Sequence, residues 1–255
     1  MQPAITSSPL YLASHVRARE CGRQVVLLDL RKNRYVGVGP AVSSALSRCV
    51  HGWPSVTALA GVNVSSTVPM DIRSTIRRFE SEGLLSPTSP QCALIDSTAI
   101  AIGDAQASLD FEDLSTEVEA SARRVMHFLR GSALTAWKLR YQSLETIARA
   151  VSERRRRIGA HDSSPLPKSA APTAAIRSGA IAYERLRPYL LTARERCLFD
   201  SMSMLEFLAA EGLFPHLIIG VKTAPFGAHA WVQCGPMVLN DQHARVRQFR
   251  PILVA

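Results

Sequence analysis

The sequence predicts an α+β protein of two domains, a small one built from strands and short helices and a larger one in which helices precede a strand hairpin. Three observations lead there. Strand-type and helix-type apolar spacings follow one another in blocks, and a stretch containing proline and serine divides the chain at about residues 89–115. Beyond it, a cysteine opening a helical pattern is followed by a histidine opening a strand and an aspartate closing the next strand. With 255 residues and 47% hydrophobic content, the chain has material for more than one core.

In order, Pro9 to Val16 reads as a first strand and Glu20-Cys21-Gly22-Arg23 as a turn. Gln24 to Leu30, the polar tip Arg31-Lys32-Asn33-Arg34 and Tyr35-Val36-Gly37-Val38 read as a hairpin. Gly39-Pro40 ends it. A helical pattern covers Ala41 to Val50 until Gly52 and Pro54, and a shorter one spans Ser55 to Gly61. The third helix is the clearest: Asp71 caps it, Ile72, Ile76 and Phe79 share a face, and Gly83 stops it before Leu84-Leu85. Residues 1–88 therefore read as three strands and three helices, a winged-helix-like string that a DNA reader would share.

Ser86 to Ser115 carries Pro87, Pro90 and a weakly acidic run, and reads as a boundary holding one short strand at Ala93-Leu94-Ile95. Residues 116–255 form the second domain. Glu117 to Arg157 is helical, interrupted at Gly131-Ser132, with Val125, Phe128, Leu129, Leu139, Leu144, Ile147 and Val151 as its apolar stripe. The run Arg154-Arg155-Arg156-Arg157 suits a solvated helix end, with RNA or an acidic partner as the alternative. Gly159 to Thr173 is a second loop, and a helix from Ala174 leads through Leu186 to Pro188.

The candidate chemistry follows. Thr192 and Glu195 fit a capping box that would start a helix near Ala193; alternatively it starts at Cys197. The second start is preferred, because free amides and the positive helix end lower a thiol's pKa. Leu198, Met202, Leu205, Leu208 and Ala209 give its buried face, and Gly212 ends it. His216 to Val221 is an apolar strand, Ala224 to Ala228 a loop, and His229 to Gln233 the next strand, with His229, Trp231 and Gln233 on one face. If Cys234-Gly235-Pro236 is a three-residue loop, Gln233 pairs with Met237 and His229 lies across from Asp241; a two-residue loop would shift the register by one. Gln242 to Val254 is a closing strand or an arm. Cys197 as thiolate nucleophile, His229 as base and then acid, and Asp241 as orienting carboxylate make a complete acyl-transfer site, with helix-start amides as oxyanion donors. The bland reading of Cys197 is a small buried hydrophobe. Cys234 and His243 are alternatives lacking that context.

Composition narrows the classes. The net charge of +9 admits an anionic partner, but nearly all of it is arginine, and nucleic acid is not expected. The five cysteines are scattered and contain no CxxC pair, which points to reduced thiols in a cytoplasmic protein and to no metal site. Met1 to Leu12 has no signal-peptide pattern, and no apolar run is long enough for a membrane span. The phosphate loop GxxxxGK[ST] is absent, so no nucleotide cofactor is assigned to the chain.

Two stretches carry family resemblances. Leu28 to Val38, with the Arg73-to-Leu85 helix and its Glu82-Gly83-Leu84-Leu85 end, resembles the PqqD-like recognition element of ribosomal-peptide biosynthesis. That resemblance implies a leader peptide added as a strand near Tyr35, Val36, Arg73, Ile76 and Arg77. The bland reading makes Tyr35, Val36 and Ile76 core, and the arginines a solvated face. Cys197-Leu198-Phe199-Asp200-Ser201, Ile218 to Lys222, Pro225 to Val232 and Asn240-Asp241 resemble the transglutaminase-like leader peptidases of lasso-peptide biosynthesis, with a papain/transglutaminase-like fold. The whole chain then resembles a fused lasso-peptide B protein. The resemblance implies cleavage of a lasso precursor between leader and core, alongside an asparagine-synthetase-like cyclase and with ATP associated with the maturation complex. An acyltransferase or transglutaminase using the same three residues, and a non-catalytic peptide- or DNA-binding module, are the rival functions.

Overall fold

In the computed structural model, residues 9–54, 72–89, 105–109, 121–161, 174–189 and 197–255 are described. The chain divides into two units, 1–93 and 94–255. In the first, the described strands are β1 (Leu10–Leu12), β2 (Val16–Cys21), β3 (Gln24–Asp29), β4 (Arg34–Val38), β5 (Val50–His51) and β6 (Leu85–Ser86), with helices α1 (Pro40–Leu46) and α2 (Ile72–Ser81). β2, β3 and β4 form an antiparallel sheet in that order, and β1 pairs with β5 and β6 in a second.

The strand expected over Pro9 to Val16 is two strands. A turn at Ser14-His15 separates them, closed by the Val16 amide donating to the Ala13 carbonyl at 2.8 Å. Val50, read as helical, is in a strand beside Leu10, because the helix already ends at Leu46. Pairing across long sequence separations, which local periodicity does not register, decided both. The expected helix at Ser55 to Gly61, the Asp71 cap and the strand at Ala93 to Ile95 lie outside the described residues.

The hairpin has a local cause. Asp29, fully buried, accepts from the Arg31 and Lys32 amides at 3.0 and 3.1 Å, and Asn33 takes the left-handed turn at φ 47°. Below it, Val25, Leu27, Leu46, Trp53, Phe79 and Leu84 make the core, with Ile72, Ile76 and Val36 packed at its margin. Glu82 joins the hairpin tip to the end of α2, taking Arg34 Nη2 at 2.7 Å and Arg78 Nε at 2.9 Å.

The second unit contains β7 (Ala107–Ser108), α3 (Ala122–Tyr141), α4 (Leu144–His161), α5 (Ala174–Leu186) with a 3-10 turn at Arg187–Tyr189, α6 (Cys197–Ala210), β8 (His216–Thr223), β9 (Phe226–Cys234), β10 (Met237–Val238), α7 (His243–Val246) and β11 (Arg250–Val254). Its sheet has the order β11-β8-β9-β10-β7, antiparallel except for the β10 and β7 pair. β7 falls in the stretch read as linker, yet it is part of this sheet.

Three expectations about the helices fail because α3 and α6 pack closely against each other. α3 runs through Gly131-Ser132 without a break; the break comes at Gln142-Ser143, where Ser143 Oγ accepts from the Thr146 amide at 3.2 Å. Gly131 is a packing residue: a Cβ there would stand 3.2 Å from the Phe207 amide nitrogen on α6. Leu129, assigned to the apolar stripe, is 50% exposed, because α3 turns Phe128, Gly131, Ser132 and Thr135 inward. α6 has no exposed face, being buried continuously from Asp200 to Leu208, which a one-face reading of its sequence missed. The charges this traps are paired: Glu206 takes Lys138 Nζ at 2.6 Å and Arg154 Nη1 at 3.4 Å. Removing one partner of such a buried pair costs about 3–5 kcal/mol.

Candidate active site

Cys197 is the first residue of α6, at the positive end of a helix fixed by packing on all sides. His229 lies on β9, opposite Gly220 of β8. A side chain at Gly220 would collide with Trp231 and Phe249 at 2.8 Å, so the glycine admits the aromatic packing around the histidine. The His229 ring stacks with Trp231, centroids 6.2 Å apart, and meets Phe249 at 5.2 Å. His229 Nε2 and Asp241 Oδ2 are 2.5 Å apart, and Asp241 Oδ1 also accepts from the Gln242 amide at 2.7 Å. The Cys197 thiol is hydrogen-bonded to the same imidazole. With Nε2 engaged by the carboxylate, Nδ1 is the nitrogen left for sulfur.

The electrostatics follow from these contacts. Burial pushes the Cys197 thiol up, but the His229 ring and the amides of Ala230 and Leu198 outweigh it and hold the thiol below its ordinary value. Burial works against a charged His229, yet Asp241 and Cys197 together raise it to about 9. Desolvation opposes the Asp241 carboxylate, and its bonds to His229 and the Gln242 amide still hold it below the usual range. A thiolate facing an imidazolium backed by a carboxylate is the resting state these shifts favour.

The hairpin reaches this geometry by a different register from the one expected. Gly235-Pro236 is a two-residue loop, so Cys234 pairs with Met237 and Gln233 with Val238. The predicted loop of three, and with it the strand-to-strand pairing of His229 and Asp241, is wrong; the two meet because β10 ends at Val238 and the chain departs from the ladder. The loop read from Ala224 to Ala228 is also shorter, since β9 begins at Phe226 and pairs with Thr223. Gln242 to Val254 is a helical turn followed by a strand along β8. Of the alternative residues, His243 Nδ1 is 3.2 Å from Ser108 Oγ and Cys234 is the last residue of β9.

The neighbourhood contains residues that pattern reading passed over. Asp200, a turn beyond Cys197, sits near Arg187 Nε at 3.1 Å and accepts from Tyr183 Oη at 3.1 Å. Asn240 Nδ2 donates to Ser201 Oγ at 3.0 Å and to Asp200 Oδ2 at 3.4 Å. Glu184, pushed up to about 7 by burial, shares Arg187 with Asp200. The available signal was a polar pair, Asp200-Ser201, one turn from Cys197 in a helix otherwise apolar but for Ser203 and Glu206.

In the first unit, Tyr35 and Val36 lie on β4, an edge strand of its sheet, and Arg73, Ile76 and Arg77 lie on α2. Val36 and Ile76 are partly buried against the core, while Arg73 and Arg77 are exposed. Among the described residues no cluster of His, Cys, Asp and Glu could hold a metal, and no helix is long and apolar enough to cross a membrane.

Comparison with known proteins bears on the second unit. Residues 132–254 match the transglutaminase-like superfamily. The chain is 42% identical over 45 residues to the microcin J25-processing protein McjB of Escherichia coli, a stretch that is 18% of this chain and 22% of that protein. No solved structure is significantly similar. The C-terminal unit thus contains a stretch similar to the transglutaminase-like superfamily, in a chain that spans about a fifth of the microcin J25-processing protein it matches.

Proposed function

We propose that the chain is a cysteine peptidase that binds the leader of a ribosomally made lasso-peptide precursor and hydrolyses the amide between leader and core. The freed core α-amine would then pass to a partner asparagine-synthetase-like cyclase. The observation that carries this reading is the Cys197 thiol, held below its ordinary pKa against an imidazole that a carboxylate orients. The similarity to a microcin-processing protein supports the substrate class.

On this reading the Cys197 thiolate attacks the scissile carbonyl and forms a tetrahedral intermediate, its oxyanion met by amides at the start of α6. The C–N bond breaks as the His229 imidazolium gives its proton to the departing core amine. A water, deprotonated by the now neutral His229, attacks the thioester. The leader leaves as a carboxylic acid, and the proton returns to regenerate the starting pair. Asp241 keeps Nε2 protonated and the ring aimed throughout. Residues 1–88 would act as the recognition element, the leader extending the sheet along β4 and resting on α2 at Arg73, Ile76 and Arg77.

Mass spectrometry of precursor incubated with the protein, with cyclase and ATP added or withheld, tests the reaction. Wild type should release leader and core, and folded Cys197→Ala should release neither; equal cleavage by both would remove Cys197 from the mechanism. A primary amine in the mixture separates the rival chemistry, because an adduct on the new leader C-terminus would mark acyl transfer in place of hydrolysis. For recognition, Tyr35→Ala should weaken leader binding with the second unit's fold unchanged, and unaltered affinity would rule out the β4 edge.

A further inference from the structure

We propose that Asn240 is a positioning residue of this site: its side chain ends the β9 and β10 ladder one residue before Asp241, turns that carboxylate onto His229, and ties the turn to the helix of the nucleophile. The inference deepens the reading of Cys197, His229 and Asp241 as a triad and rests on it.

The register makes the argument. Cys234 pairs with Met237 and Gln233 with Val238, and the Leu239 amide continues the ladder by donating to the Val232 carbonyl at 2.9 Å. The reciprocal ladder bond would run from the Val232 amide to the Leu239 carbonyl. The Val232 amide donates instead to Asn240 Oδ1, at 2.8 Å. Had the ladder continued in register, Asp241 would lie across from Ala230, whose side chain points to the opposite face of the sheet from that of His229. Substituting a side-chain acceptor for a backbone one keeps the buried Val232 amide satisfied while releasing the chain from the strand path.

The other end of the same amide is equally committed. Asn240 Nδ2 donates to Ser201 Oγ and Asp200 Oδ2, in the first turns of the helix that Cys197 opens, and Asp200 is in turn held by Tyr183 and Arg187. One side chain with an acceptor at one corner and a donor at the other therefore links β9, α6 and the residue before the carboxylate. Alanine offers neither group, and aspartate lacks the donor and would face the Asp200 carboxylate. The charged groups around the couple are Cys197 and Asp200 from α6, Glu184 of α5 with Arg187 paired to both carboxylates, Arg245 3.8 Å from Asp241, and Lys222 of β8 over the Phe249 ring that pads His229.

Site-resolved iodoacetamide alkylation of Cys197 across pH 5 to 10, followed by peptide mapping, tests this in the full chain beside precursor cleavage. In Asn240→Ala the thiolate titration should move to higher pH, with alkylation at pH 6 slower by roughly 10-fold. Cleavage should fall about as far as in Asp241→Asn, and the double variant should lose no more than Asp241→Asn alone. Ser201→Ala, which removes one anchor, should displace the titration in the same direction by less, and it serves if Asn240→Ala does not fold. A lowered melting temperature with both alkylation profiles superimposed on wild type, or additive losses in the double variant, overturns the proposal and leaves the triad standing. A wild-type Cys197 no more reactive at pH 6 than an ordinary thiol overturns the triad reading, and the inference with it.

Discussion

Cys197 and Cys234 are both half-buried thiols of the second unit, and they differ in what meets them. Cys197 faces His229; Cys234 follows Gln233, whose ladder partner is His216. Burial disfavours the charged form of all four groups. At the first pair it is outweighed: the imidazole and two amides meet the thiol, Asp241 meets the imidazole, and both groups move toward charge. At the second, burial pushes the Cys234 thiol up with only Arg155 opposing it, and burial with Arg155 pushes His216 down to about 4. The same two residue types are thus moved toward the charged forms where thiol, imidazole and carboxylate meet one another, and toward the neutral forms where burial and Arg155 outweigh the backbone hydrogen bond of His216 with Gln233. Reactivity here belongs to the imidazole and amides that meet the Cys197 thiol and to the carboxylate behind the ring, none of which the Cys234 thiol has.

The comparison is broken most directly by exchanging which thiol is removed. Cys197→Ala should lower precursor cleavage by at least roughly 10³-fold, while Cys234→Ala stays within about 3-fold of wild type, as read by initial rates. A large loss in Cys234→Ala with a small one in Cys197→Ala would invert the assignment. Removing the carboxylate's charge should come next: Asp241→Asn should cost roughly 10²-fold or more in kcat, because His229 loses what raises its pKa to about 9 and what fixes its tautomer.

A chemical probe sharpens the contrast without substrate. At pH 7 Cys197 should be alkylated at least about 10-fold faster than Cys234, and the ratio should shrink above pH 9, where the Cys234 thiol ionises and the His229 imidazolium is lost. Equal rates at pH 7 would erase the distinction. The smallest effect concerns stability. His216 has a folded pKa of about 4, against 6.5 unfolded, so between those values the unfolded chain binds the proton that the native state refuses. Stability is lost as pH falls through that window. The melting temperature of His216→Gln should therefore decline less than that of wild type from pH 6.5 to 4, by about 2–4 °C for each kcal/mol of difference. Parallel declines would mean that the His216 site does not exclude the proton.

Much of the local structure was legible because its causes are local. Gly83 and Gly212, both at φ +77°, end α2 and α6 where glycine was expected to end them, and the β3 and β4 hairpin turns on Asp29 and Asn33 within its own span. What misled the sequence reading was non-local. Gly131-Ser132 looks like a break in isolation and is a close-packing point once α6 lies against it. Val50 looks helical beside its sequence neighbours and is a strand because Leu10 lies alongside. The Gly235-Pro236 loop is shorter by one residue than the expected one, which on alternation alone would have separated the histidine from the carboxylate.

By itself, then, the sequence determined which groups were available: a thiol opening an apolar helix, an imidazole in a strand beside Trp231, and a carboxylate closing the hairpin, in residue types suited to acyl transfer. Only the tertiary structure decided their meeting and their charge. His229 reaches Asp241 because Asn240 draws the chain out of the ladder, and the Cys197 thiol is lowered because α6 starts against β9, where the ring of His229 and the amide of Ala230 replace solvent. Residue type sets what a group can do, whereas hydrogen bonds between segments distant in the chain set which protonation state it adopts.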